Sequence, residues 1–210
     1  MENYLLEKLK KDIWKNNNID NLIDICETYN NKPFHNLNDL KIKNKTKGDL
    51  FEIFCKLYLN KIYGIETVWL LNEIPQDVRA KLYLDKKDYG IDLVGMDKDN
   101  KYYAIQSKFR KHSKDKKSSV SWKELSTFYA LCARTGPFEK YIVMTTADYV
   151  KRIGKKTKKD ITIGYNKLSK LSHFDWLKIC NMDENKKTQN TIIKQLTIEE
   201  LREKRINYFK

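Results

Sequence analysis

The chain has 210 residues, 40% hydrophobic and 12% aromatic, enough for a packed core in one domain and unlike a disordered or fibrous chain. Its 42 Lys and Arg against 28 Asp and Glu leave a formal charge of +14, so a polyanionic partner is expected, nucleic acid before membrane. No apolar run approaches a membrane span, and the N-terminus MENYLLEKLKKDIWKNNN sets acids and lysines where a signal peptide is unbroken and apolar, so an intracellular protein, cytoplasmic or nuclear, is expected.

Leu5, Leu6, Leu9 and Ile13 recur at helical spacing over residues 4–14, and Ile19, Leu22, Ile23, Cys26 and Tyr29 repeat the pattern. The second helix is expected to stop at Asn30-Asn31-Lys32-Pro33, so residues 1–45 read as an N-terminal helical segment. A third helix is expected from near Thr46, burying Leu50, Phe51, Phe54, Leu57 and Tyr58 and capped by Gly64. VWLL and KLYL, within 65–84, read as the cores of one or two strands. Two further strands surround the polar turn Met96-Asp97-Lys98-Asp99-Asn100, a composition suited to a hairpin.

After Lys108 the chain turns basic (FRKHSKDKK), then SWKELSTFYALCAR predicts a helix with Ser121 and Glu124 as a capping box. Trp122, Phe128 and Tyr129 read as its core rather than as stacking platforms for bases. Tyr141–Met144 is an expected strand ending in Thr145-Thr146, followed by a second basic run, KRIGKKTKK, over 151–159. Ile161-Thr162-Ile163 predicts another strand, 173–180 a short helix, and Thr197 with Glu200 the cap of a charged last helix. The order helix, strands, helix, strand fits an α/β fold with a mixed sheet between helical layers, and the hairpin rules out a purely parallel sheet. Cys26, Cys55, Cys132 and Cys180 form no CxxC or Cys/His pair and read as reduced packing residues.

The polar residues inside the hairpin carry the chemistry. Asp92 interrupts Ile91, Leu93 and Val94, while Gln106 and Lys108 end the apolar run Tyr102–Ile105. Side chains two apart on a strand share a face, so Gln106 and Lys108 point one way with Ser107 opposite, and the hairpin brings Asp92 to their end of the sheet. Glu52 follows Phe51 on the preceding helix. An acid, an amide oxygen and an ammonium together suit divalent-metal hydrolysis of a phosphodiester, because Mg²⁺ takes hard oxygen ligands and keeps several waters.

Gly90-Ile91-Asp92, the hairpin, Gln106-Ser107-Lys108 and the earlier Gly48-Asp49-Leu50-Phe51-Glu52 resemble the PD-(D/E)xK nuclease superfamily, in its Mrr-like restriction endonuclease branch. The likeness covers roughly residues 46–150. It implies a restriction-endonuclease-like three-layer α/β/α sandwich. From the order of elements the nuclease core is expected at 46–180 and a helical extension at 181–210, whose charged helix is expected to lead to a further domain or partner chain. The likeness implies a Mg²⁺-dependent endonuclease cutting DNA, with Mn²⁺ able to substitute. Asp92 and Gln106 would bind the metal with the Ser107 backbone carbonyl, Glu52 would reach it directly or through water, and Lys108 would be the catalytic lysine. The sequence departs from the branch in lacking a literal Pro-Asp.

Lys47, Arg110, Lys111, His112, Lys114, Lys116, Lys117, Lys151, Arg152, Lys155 and Lys156 are the expected nucleic-acid contacts, since both basic runs follow strands expected to end near the site. Each run alone would read as a solvated loop. His35, His112 and His173 have no partner at metal or triad spacing, and Asp97 and Asp99 read as turn residues, not a calcium loop. Two other readings stay open: an RNA endonuclease of cap-snatching type, for which His35 would have to be the early metal ligand, and a nuclease-fold module that binds without cutting. Symmetric duplex cutting would take a homodimer, although no interface is legible.

Overall fold

Period-two alternation around a polar turn builds the centre of the sheet. In the computed structural model, which describes residues 1–16, 19–29, 37–86, 90–111, 117–151 and 157–182, β2 (Leu93–Met96) pairs antiparallel with β3 (Tyr102–Lys108), Leu93 opposite Ile105 and Met96 opposite Tyr102. Asp97 Oδ1 accepts the N–H groups of Asp99 and Lys101 at 2.9 Å each, and Asn100 takes φ 57°, so the two acids are turn residues as their composition implies. β1 (Thr67–Leu70) runs antiparallel on the other side of β2, while β5 (Lys140–Thr145) and β7 (Asp160–Ile163) extend the sheet in parallel from β3. The order β1-β2-β3-β5-β7 is the expected mixed sheet.

Each face carries its own hydrophobic layer. Leu93, Ile105 and Ile142 pack against α3 (Leu37–Tyr58) together with α1 (Glu2–Asn16), α2 (Ile19–Thr28) and α7 (His173–Ile179), through Phe51, Phe54, Leu9, Leu22 and Trp176. Val94, Ala104 and Val143 face α4 (Gln76–Lys81) and α5 (Trp122–Arg134), through Val78, Leu125 and Phe128. This is the three-layer α/β/α sandwich. A small parallel ladder, β4 (Ser119–Val120) with β6 (Tyr149–Val150), sits beyond the main sheet, and α6 (Tyr165–Leu168) follows β7. All four cysteines are buried and unpaired with one another, as expected of packing residues.

Four expectations need correction. KLYL is not a strand: Lys81 ends α4, Leu82 is buried as its cap, and Tyr83 turns outward at φ 55° with 79% exposure. The third helix begins at Leu37 rather than near Thr46, so the expected boundary at 45/46 falls inside α3. The N-terminal helices, expected as a segment outside the nuclease core at 46–180, share one core with α3 and the sheet. Trp122 is outside the core, stacking on Tyr129 with ring centroids 5.0 Å apart, while Phe128 alone of the three aromatics is fully buried. The turn expected at 30–33, the helix around Thr197 and Glu200, and His35, His112, Lys114, Lys116, Arg152, Lys155 and Lys156 lie outside the described residues.

Candidate active site

The edge where β3 and β5 end is fastened by hydroxyls. Thr145 Oγ1 donates to the Lys108 carbonyl at 2.6 Å, and Thr146 Oγ1 bonds both the N–H and the carbonyl of Arg110 at 2.6 Å. Both threonines are fully buried. They hold the backbone of 108–110 rigid where it leaves the sheet, which fixes the root of the Lys108 side chain. Sequence reading had them only as the end of a strand.

Asp92 enters the same edge from just before β2. Gly90 takes φ 121° with α5 directly beside it, a Cβ there falling 3.0 Å from the Phe128 nitrogen, so a glycine lets the chain pass under α5 toward the sheet. The Asp92 backbone then bonds to both neighbouring elements, its N–H to the Ile105 carbonyl and its carbonyl to the Leu71 N–H, each at 2.9 Å. Its side chain is 7% exposed, and Oδ2 collects the Ser107 N–H at 2.6 Å, Gln106 Nε2 at 2.7 Å and Ser107 Oγ at 3.1 Å. Three donors on one oxygen hold the carboxylate in a single orientation.

The structure thus brings Asp92, Gln106 and Ser107 together, with one difference from expectation. Gln106 presents its amide nitrogen to the acid, because two oxygens so placed would repel. Ser107 and Lys108 wall the adjoining cleft, whereas Gln106, 2% exposed, lies behind Asp92.

That cleft encloses about 500 Å³ and is lined by three carboxylates, Glu27, Glu52 and Asp92, and four cations, Lys47, Lys108, Arg110 and Lys111. Mixed charge of this kind accommodates a phosphodiester together with a divalent cation. Among the described residues no three His, Cys, Asp or Glu side chains group closely enough to hold a metal by themselves. With Glu27 paired to Lys47, the hard side-chain oxygens at hand are those of two acids, Asp92 and Glu52. Burial pushes the Cys55 thiol well above its ordinary value, and the Glu52 and Asp92 carboxylates push it further, so both acids act on one point from opposite layers.

The cations divide into two groups. Lys47 is paired with Glu27 of α2 at 2.6 Å, and Arg110 with Glu124 of α5. Burial raises the Glu124 carboxyl, but the Ser121 N–H and hydroxyl, then Arg110 and Lys108, bring it below its usual value overall. Lys108 has no hydrogen-bond or ion-pair partner for its ammonium among the described residues, and neither does Lys111. Lys117 and Lys151 are exposed beside the β4–β6 ladder, where Ser118 N–H bonds Asp148 at 2.7 Å and Lys151 N–H bonds the Val120 carbonyl at 2.8 Å. Of the second basic run, Lys159 lies at the other end of the sheet. The Lys159 carbonyl accepts from Tyr141 N–H at the start of β5, the opposite end from Lys108.

Sequence reading missed Glu27, Asn44 and Gly48 as members of the cleft wall. Gly48 is in the interior of α3, and among the described residues nothing is within 4 Å of where a Cβ would be. A glycine inside a helix costs about 1 kcal/mol against alanine.

Residues 62–187 match a family model described as Restriction endonuclease, of the Mrr catalytic type. The chain belongs to the restriction endonuclease family. The matched range contains Asp92, Gln106, Ser107 and Lys108, and begins after Glu52, Gly48 and Lys47, which α3 alone brings to the cleft. Among solved structures, this family member is similar to the ATP-dependent Type ISP restriction-modification enzyme LlaBIII bound to DNA, with TM-score 0.50 and 23% identity over 74% of this chain. At that identity the likeness speaks for the fold, and the chain spans 8% of that enzyme's length. Comparison with curated proteins returns no match. Among the described residues no helix is long and apolar enough to cross a membrane.

Proposed function

We propose that the chain is a divalent-metal-dependent endonuclease that hydrolyses DNA phosphodiester bonds, with Mg²⁺ as its ion and Mn²⁺ able to replace it. The observation that carries this reading is the meeting of Asp92, Glu52, Ser107 and Lys108 on one cleft at the sheet edge, in a chain of the restriction endonuclease family. Two carboxylates and a backbone carbonyl are enough protein anchors for an ion that keeps most of its water. When bound, such an ion polarises the scissile phosphate and lowers the pKa of a coordinated water.

The protein's own groups do the rest. Asp92 is oriented by Ser107 and Gln106, which makes Gln106 a positioning residue as its amide is placed. Lys108, rooted by Thr145, meets the negative charge that builds on the phosphate. Lys111 and the exposed Lys117 and Lys151 contact flanking phosphates without reading bases. Cutting both strands together requires a second site, which a second copy of the chain would supply.

Supercoiled plasmid and a labelled RNA, each with Mg²⁺ or Mn²⁺ and with EDTA controls, test this reading. The expected result is plasmid nicked or linearised only with metal, and RNA left intact. Linear product without a nicked intermediate would mark two sites acting together. Binding should fall with salt at a log–log slope of about −3 or steeper, as for roughly four neutralised phosphates. Cleavage of RNA alone, or DNA binding with no cleavage under any metal, would overturn the proposal.

A further inference from the structure

We propose that the sugar-phosphate backbone of the substrate crosses α3 at Gly48, so that the N-terminal helical layer forms one wall of the nucleic-acid channel. The inference rests on reading the cleft as a nuclease site, and goes on to say where the strand lies. Asn44, Gly48 and Glu52 are spaced four apart on α3, which puts them in one row along the helix, and all three line the cleft. Gly48 is the gap in that row. The gap opens beside Glu52, in a cleft that Lys108 and Lys111 also line.

The usual reasons for a glycine are missing. Gly48 has an ordinary helical φ, so no turn or left-handed conformation demands it. Among the described residues nothing stands within 4 Å of its missing Cβ, so none of them demands it either. A helix-weakening residue with open space over it, in the wall of a charged cleft, fits close approach by something outside the chain. The occupant is polyanionic, because Lys47 stands next to the gap and Lys108, Arg110 and Lys111 line the same cleft. Lys47 is held there by Glu27 at 2.6 Å, an acid from α2, so the second helix also fixes the channel wall.

Gly48→Ala and Gly48→Leu in the full chain test the proposal, with a labelled DNA duplex in EDTA for binding, plasmid with Mg²⁺ for cutting, and thermal melts for folding. Both variants should melt at or above the wild-type temperature, since alanine and leucine are better helix formers. Duplex affinity should fall about tenfold for alanine and about a hundredfold for leucine, with KM for plasmid rising in step. A structural role would instead lower the melting temperature. Wild-type binding and cutting by both variants would overturn the proposal, and if the leucine variant melts early the alanine variant decides alone. Wild-type protein that binds duplex but cuts nothing, with weaker binding by the variants, would sink the nuclease reading and leave the channel standing. Wild-type protein that cuts, with variants unaffected, would do the reverse, and a wild-type protein that neither binds nor cuts would overturn both.

Discussion

Asp92→Asn should reduce plasmid cleavage by about a thousandfold, equivalent to about 4 kcal/mol of transition-state stabilisation, while leaving the protein folded. The substitution keeps shape and hydrogen-bonding capacity. Its amide oxygen, placed at Oδ2, can still accept both the Ser107 N–H at 2.6 Å and the Gln106 amide N–H at 2.7 Å. What disappears is the negative charge, at a site only 7% exposed and in the same cleft as Glu52. Removing one of two neighbouring acids relieves repulsion and desolvation, so the melting temperature should hold or rise. Thermal melts and plasmid relaxation rates, measured side by side, check both halves. An Asp92→Asn protein that cuts within tenfold of wild type would mean that another group anchors the chemistry.

Lys108→Met should lower kcat by about a hundredfold to a thousandfold with little change in KM, the size expected for losing one charge that acts on the transition state. Methionine keeps most of the aliphatic stem that is half-buried at the end of β3, so the loss belongs to the ammonium and not to packing. Lys108→Arg should recover only part of the rate. A planar guanidinium fork does not place its charge where a compact ammonium does, and Glu124, already paired with Arg110, would compete for it. Steady-state kinetics on plasmid, with duplex binding measured in EDTA, separates this from a binding defect. A Lys108→Met protein that loses affinity and keeps kcat would make Lys108 a phosphate contact.

How far the sequence carried this account differs from residue to residue. The hairpin was legible because its alternation, its Asp-rich turn and its capping-box helix at Ser121 are all local, and local signals agreed with the fold. Lys81-Leu82-Tyr83-Leu84 misled for the opposite reason. Its apolar residues two apart mimic a strand, but Leu84 N–H bonds the Arg79 carbonyl at 2.9 Å and the Arg79 side chain clasps the Leu71 and Asp85 carbonyls. That clasp joins segments no short pattern connects. The early start of α3 was hidden because its first turns bury little, Ile42 being 55% exposed; the helix there extends from the buried stripe at Leu50–Tyr58.

The site divides in the same way. Asp92, Gln106, Ser107 and Lys108 are 16 residues apart at most and belong to one hairpin, so spacing alone suggested that they meet. Glu27 carried no signal, since a glutamate on an amphipathic helix ordinarily faces water, and only the packing of α2 on α3 brings it to Lys47. The second basic run shows the limit of arguing from strand ends. Lys151, just after β6, is tied to the Val120 carbonyl, and Lys159 is tied to the start of β5.

Asp92 and Glu52 are proposed to hold one divalent cation between the sheet edge and α3. Crystals soaked in Mn²⁺ and measured at the manganese absorption edge address it directly. A single anomalous peak is expected within bonding distance of an Asp92 oxygen, with Glu52 bound directly or through one water and the Ser107 carbonyl alongside. No peak at saturating Mn²⁺, or a peak held by other residues while Asp92 keeps its three donors and no ion, would contradict it.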